Sequence, residues 1–204
     1  VYAGCIDGFL SWAWVRSEED VPAFSRIYGA SVCVLGRNVN GYMKSEDAYW
    51  KHHLAQAFVS GQQMGWVNAD VVRSAGRMEL VRRLARFRWK HRAFFRQAVP
   101  LRPPVPDGAH VFQSGLGMGE PGVLRAPYLC CGTLQSGREA MMLLVNTAEE
   151  AVSETVRWRA GEYEPCVYTA FGGGRVERLE AGSLRCTVEP SELLCIRWTL
   201  PQSR

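Results

Sequence analysis

The chain has 204 residues, 47% of them apolar and 22% charged, with a formal net charge of +4. These are the proportions of an ordinary soluble globular protein of one or two domains, with enough chain to bury a core. A membrane partner is excluded for any helix, because no apolar run reaches the roughly 18 residues that a span requires.

The charge is unevenly divided: residues 1–107 hold 15 Lys+Arg against 9 Asp+Glu, and residues 108–204 hold 9 against 11. The chain opens on Val1 with neither an initiator Met nor a signal-peptide pattern, so it is expected to be cut from something longer. Seven cysteines (Cys5, Cys33, Cys130, Cys131, Cys166, Cys186 and Cys195) contain no C-x-x-C pair, which argues against a zinc site. Read as buried free thiols on strands, they favour a reducing, cytoplasmic setting. No metal and no cofactor is expected.

In chain order, Val1 to Trp14 is rich in apolar and small residues, and Phe9–Trp14 alternates in part like a strand. Asp7-Gly8 can form a turn. Pro22 opens the segment Ala23–Tyr28. After Gly29, the apolar run Val32–Leu35 fits a strand buried on both faces, with a helix segment as the alternative. Residues 37–42 form a loop.

Residues 45–67 organise this half. Ser45 is a good N-cap, Glu46 and Asp47 complement the helix dipole, and Trp50, Leu54, Ala57 and Phe58 make one apolar stripe. Gly61 sits where a left-handed C-terminal residue is wanted, and Gln62–Val67 follows as a short strand. Adjacent His52 and His53 point about 100° apart and cannot make an i, i+4 metal pair, so they are expected at the helix surface or only partly buried.

Ser74 can cap a second helix from about Met78 to about Ala98, with Leu80, Leu84, Phe87, His91, Phe94 and Ala98 on its buried face. Eight Lys/Arg between Arg77 and Arg96 surround the remainder. They read as a solvated face in preference to a nucleic-acid surface, because they form no single stripe. Pro100, Pro103, Pro104 and Pro106 cannot continue a helix and are expected to form a stiff linker. Beyond Asp107-Gly108, seven short β-rich runs recur from Tyr128 to Trp198, punctuated by Ser136-Gly137-Arg138 and Gly172-Gly173-Gly174, which points to an antiparallel β-sandwich. Cys130 and Cys131 alternate across a strand, one inward and one outward. Gly115-Leu116-Gly117-Met118-Gly119 lacks the Lys of a phosphate loop and reads as a connector.

Trp12, Trp14, Tyr28 and Trp66 offer flat apolar faces for stacking, and Gln62, Gln63, Arg37 and Asn38 offer hydrogen-bonding groups beside them. Each also has a plain structural reading as a core aromatic or a turn residue.

Three segments, Asp-Gly-Phe-Leu-Ser-Trp (7–12), Val-Pro-Ala-Phe-Ser-Arg-Ile-Tyr-Gly (21–29) and Ser-Gly-Gln-Gln-Met-Gly-Trp (60–66), resemble the last strands of glycoside-hydrolase-type (β/α)8 barrels. The nearest likeness is to uncharacterised bacterial proteins distantly similar to α-galactosidase-like enzymes. There a C-terminal sandwich has strands reading like Leu143-Leu144-Val145-Asn146-Thr147 and Leu193-Leu194-Cys195-Ile196-Arg197. The resemblance implies the tail of a TIM-type barrel over residues 1–100, a Pro-rich linker over 101–107 and a β-sandwich over 108–200. It implies a carbohydrate substrate and makes the missing N-terminal part of the same barrel the partner of this chain. Asp7 is the one candidate catalytic carboxylate, and the usual pair would be incomplete, leaving the chain inactive alone. A non-catalytic carbohydrate-binding or structural module is the alternative, and a nucleic-acid-binding protein a third reading.

Overall fold

The computed structural model describes residues 8–11, 23–28, 33–36, 47–64, 73–115, 122–159 and 168–200. The first half holds strand β1 (Gly8–Ser11), helix α1 (Ala23–Tyr28), strand β2 (Cys33–Gly36) and helices α2 (Asp47–Val59), α3 (Ala75–Lys90) and α4 (Arg92–Phe95). Then come β3 (Val99–Pro100), β4 (Val105–Pro106), β5 (Val111–Gly115), β6 (Val123–Pro127), β7 (Leu129–Ser136), β8 (Glu139–Asn146) and β9 (Val152–Arg157). The chain continues with β10 (Tyr168–Gly172), β11 (Gly174–Glu180), β12 (Ser183–Val188) and β13 (Leu193–Thr199).

β1 and β2 pair in parallel from Gly8↔Cys33 to Ser11↔Gly36, and a parallel bridge Leu35↔Gln63 extends the pairing by one position. Three successive extended segments thus lie side by side in chain order, joined by helices. Right-handed crossovers between segments laid down in one direction put both helices on the same side, and α1 packs on β3 and α2 on β7, neighbouring strands of one antiparallel sheet.

After α4 the sheets are antiparallel. One has five strands in the order β10-β13-β8-β7-β3, the other four in the order β11-β12-β9-β4, and β5 and β6 form a separate hairpin. The five-stranded sheet is the middle of three layers. One face meets the helices through Leu54, Phe58, Leu80, Leu84, Leu134 and Leu143. The other meets the second sheet through Leu129, Met142, Leu144, Val156, Leu184 and Ile196. Burial on both faces explains why β8 reads Ala-Met-Met-Leu-Leu-Val without alternation.

That layering corrects two expectations. Cys130 faces the helix-side core and Cys131 packs against the core between the sheets, so neither points outward. His52 and His53 are 2% and 5% exposed, because α2 has neighbours on every side and not along one stripe alone.

The proline segment also does more than tether. β3 lies at the edge of one sheet beside β7 and β4 at the edge of the other beside β9, with Leu101 N–H donating to Thr133 and Asp107 N–H to Thr155. Proline suits an edge, where one side of the strand needs no donor. The second helix breaks at His91 and resumes as α4, while Leu80, Leu84, Phe94 and Ala98 are buried as their spacing predicts. Among the described residues, no helix is long and apolar enough to cross a membrane.

Candidate functional site

The end of α2 sets the position of the candidate amides. Gly61 has φ 76°, its N–H donates to Phe58 O and the Gln62 N–H to Ala57 O, the paired bonds of a Schellman stop. The chain then extends, with Gln63 N–H donating to Val34 O and Gly36 N–H to Gln63 O. Arg88, from α3, fixes this corner by donating to Gln62 O at 2.9 Å and Gly61 O at 3.2 Å, while its guanidinium lies over the Phe95 ring. Burial lowers its pKa to about 10, and it keeps its charge at neutral pH. A basic residue of the supposedly solvated face is therefore a clamp.

Strand alternation then separates the two glutamines. Gln62 is buried on the helix side, where its Oε1 stands 3.4 Å from the place a Cβ on Gly36 would take and Ala57 Cβ only 2.7 Å from it. Only glycine at 36 lets α2 approach that closely. Gln63 is exposed, on the side of the strand opposite Gln62. Asp7, Trp12, Trp14, Arg37, Asn38 and Trp66 lie outside the described residues. Tyr28 closes α1. The strand segments 8–11, 33–36 and 61–64 carry no carboxylate, so among the described residues this face can hold hydroxyl groups through an amide but supplies no acid or base.

A second constellation had escaped sequence reasoning. His52, Gln56 and Ser60 follow at i, i+4 and i+8, a polar stripe beside the apolar one, and that spacing is the signal that could have found it. All three line a cleft of about 640 Å³ with Cys130 and Thr133 of β7 as part of its floor. Cys130 Sγ lies 3.2 Å from His52 Nδ1. A nucleophilic thiolate would need an imidazolium partner. Burial instead lowers the His52 pKa to about 4, against a smaller opposite effect of the Pro127 carbonyl, so the ring is neutral at pH 7. The pair is a neutral hydrogen-bonded contact. His52 Nε2 makes no hydrogen bond of normal geometry, and Gln56 Oε1 has none either.

No protein-family model matches the chain, and no curated protein matches it. Among solved structures it is similar to a GH30 endoxylanase from Clostridium papyrosolvens C71, at 9% identity and a TM-score of 0.42 over 94% of this chain and 48% of that one. It is similar to the glycoside hydrolase family 30 subfamily 8 xylanase Xyn30A from Clostridium acetobutylicum, at 10% identity and a TM-score of 0.40 over 94% and 48%. An Anoxybacillus alpha-amylase gives 10% identity and a TM-score of 0.37 over 97% and 39%. The chain spans less than half the length of each. At overlaps of this quality the site has to be read from its own residues.

Proposed function

We propose that this chain forms the last βα units and the C-terminal sandwich of a carbohydrate-active hydrolase. On this reading residues 1–100 belong to a TIM-type barrel, 101–107 cross to the sandwich, and 108–200 form it. The reading is carried by one observation: successive parallel segments lie in chain order, an order that right-handed crossovers serve with every intervening helix on the same side. A doubly wound sheet covers both its faces with helices, whereas a barrel keeps every helix outside and its strand ends free for ligand.

Gln63, turned away from the helices, would then face the sugar and hold a hydroxyl by its amide. Asp7, Trp12, Trp14, Tyr28, Arg37, Asn38 and Trp66 are proposed as the rest of that rim, and Gln62, buried on the helix side, packs behind the strand and does not join it. Strands outside this chain would bring the catalytic carboxylates. The nucleic-acid reading loses ground, because Arg77 pairs with Asp47, Arg82 and Arg83 with Glu79, Arg83 also with Glu192, and Arg88 is sunk against backbone carbonyls.

The test compares this chain with the same chain in continuity with the rest of the barrel, on a panel of aryl glycosides. The longer protein should turn over and this chain should not. Within the longer protein, Gln63→Ala should lower kcat/KM several-fold to about a hundredfold, the range for one hydrogen bond with or without a stranded partner. Turnover by this chain alone that disappears in Asp7→Asn would refute the proposal.

A further inference from the structure

We infer that the cleft between α2 and the proline segment binds a small amphipathic anion, an aromatic carboxylate carrying a neutral hydrogen-bond donor at its far end. This inference stands apart from the carbohydrate reading, since Gly36 and Gln63 do not line the cleft.

Its size comes first. A volume of about 640 Å³ lies in the range that accepts a fused ring system, roughly 300 to 1,000 Å³.

The walls come next. They are built from α1, α2, residues 100–106, Pro127 and β7. Pro100, Pro103, Pro104 and Pro106 present ring faces that carry no N–H to satisfy and lose almost no side-chain freedom on binding. Such a wall is preorganised for a flat apolar body. Two lips are already apolar and wet: Ile27 is 68% exposed and Val105 56%. Covering them removes large apolar side chains from water, a favourable change.

Charge sets the head group. Among the described residues Arg26 and Arg102 line the cleft, both exposed, and no Asp or Glu does. The deep side is neutral, because the His52 ring carries no charge at pH 7. An anion is therefore favoured at the mouth and opposed within. The buried end of the ligand has to be uncharged, and Gln56, 8% exposed with its Oε1 unpartnered, offers that end an acceptor after a small turn of the amide.

6-Hydroxy-2-naphthoate meets each requirement and is fluorescent. Its titration into the intact chain, followed by fluorescence and by amide NMR shifts, should be saturable, with shifts at residues 130–133 and at Leu101, Arg102 and Val105, the residues of the proline segment that carry an N–H. 2-Naphthoate, which lacks the donor, and 2-naphthol, which lacks the anion, should each bind about fivefold or more weakly, the scale of one hydrogen bond or one exposed ion pair. Arg26→Gln with Arg102→Gln should bring the hydroxynaphthoate down to the affinity of 2-naphthol and abolish its salt dependence. Gln56→Leu should bring it to that of 2-naphthoate. Both arginines are on the surface, so their variant stays a fair test even if Gln56→Leu unfolds. Equal binding of the three compounds, binding indifferent to the arginines, or shifts centred on Cys33, Leu35 and Gln63 would overturn the inference.

Discussion

Mild acid should destabilise this protein through the two buried histidines of α2, before most carboxylates are neutralised. His52 and His53 are almost sealed from water, and burial holds both neutral: the His52 pKa falls from 6.5 to about 4, and that of His53 to about 3, with His52 beside it as the second cause. The folded values lie below the unfolded one, so the unfolded chain takes up protons that the native state refuses. The stability these rings contribute is complete above pH 6.5 and is lost as pH falls towards their folded values. Between about pH 7.5 and pH 5 each unfolded ring gains nearly one proton and each native ring almost none, worth roughly 2 kcal/mol per histidine and about 4 for the pair. Against a total of about 5 to 15 kcal/mol, that is a large share. Urea unfolding followed by circular dichroism at half-unit steps of pH measures it. His53→Phe keeps a ring against Tyr49, whose centroid is 4.1 Å away, and removes one titration, so roughly half of the loss should vanish. A wild type that loses less than about 1 kcal/mol over this interval, or a variant with the wild-type slope, would mean that the native helix accepts the protons and the reasoning fails.

Gly132→Ala should lower stability by roughly 1 to 3 kcal/mol or more, because overpacking here meets rigid backbone. The new Cβ would lie 2.3 Å from the Val59 carbonyl oxygen, whereas Gly115→Ala, with nothing within 4 Å among the described residues, should leave the melting temperature unchanged. Asn146→Ala should cost about 3 kcal/mol in denaturant unfolding, since it strands several buried backbone groups at once. Its Nδ2 donates to Glu150 O, Val188 O and Glu189 O, and its Oδ1 accepts from Ala148 N–H. Glu154→Gln should stabilise the protein at pH 7 and do so less at pH 4. Burial raises the Glu154 pKa, so its contribution is fully present below the unfolded value and lost as pH rises through the folded one. Thermal melts of the two proteins at both pH values check the sign.

Local chemistry alone determined the punctuation of this chain. Ser74 accepts the Arg77 N–H where a cap was expected, Gly61 takes positive φ at the end of α2, and Gly137 and Gly172 do so at turns between strands. Each depends on the neighbouring few residues, and so it is legible in order along the sequence. The seven β-rich runs from Tyr128 onward match β7–β13 for the same reason. What surrounds an element is set by residues far away in the chain, and only the tertiary structure decided it. Stripe reading gave α2 one buried face, Trp50, Leu54, Ala57 and Phe58, but the five-stranded sheet and the β5–β6 hairpin cover the other, through contacts such as His52 with Cys130 and with Phe112. The prolines keep a helix from continuing through residues 100–106 whatever surrounds them, yet whether they hang as a tether or lie along two sheet edges depends on β7 and β9 being there to pair. Gly132 likewise reads as one more small residue in a strand. It is the close approach of the last turn of α2, some 70 residues earlier, that leaves no room for a side chain there.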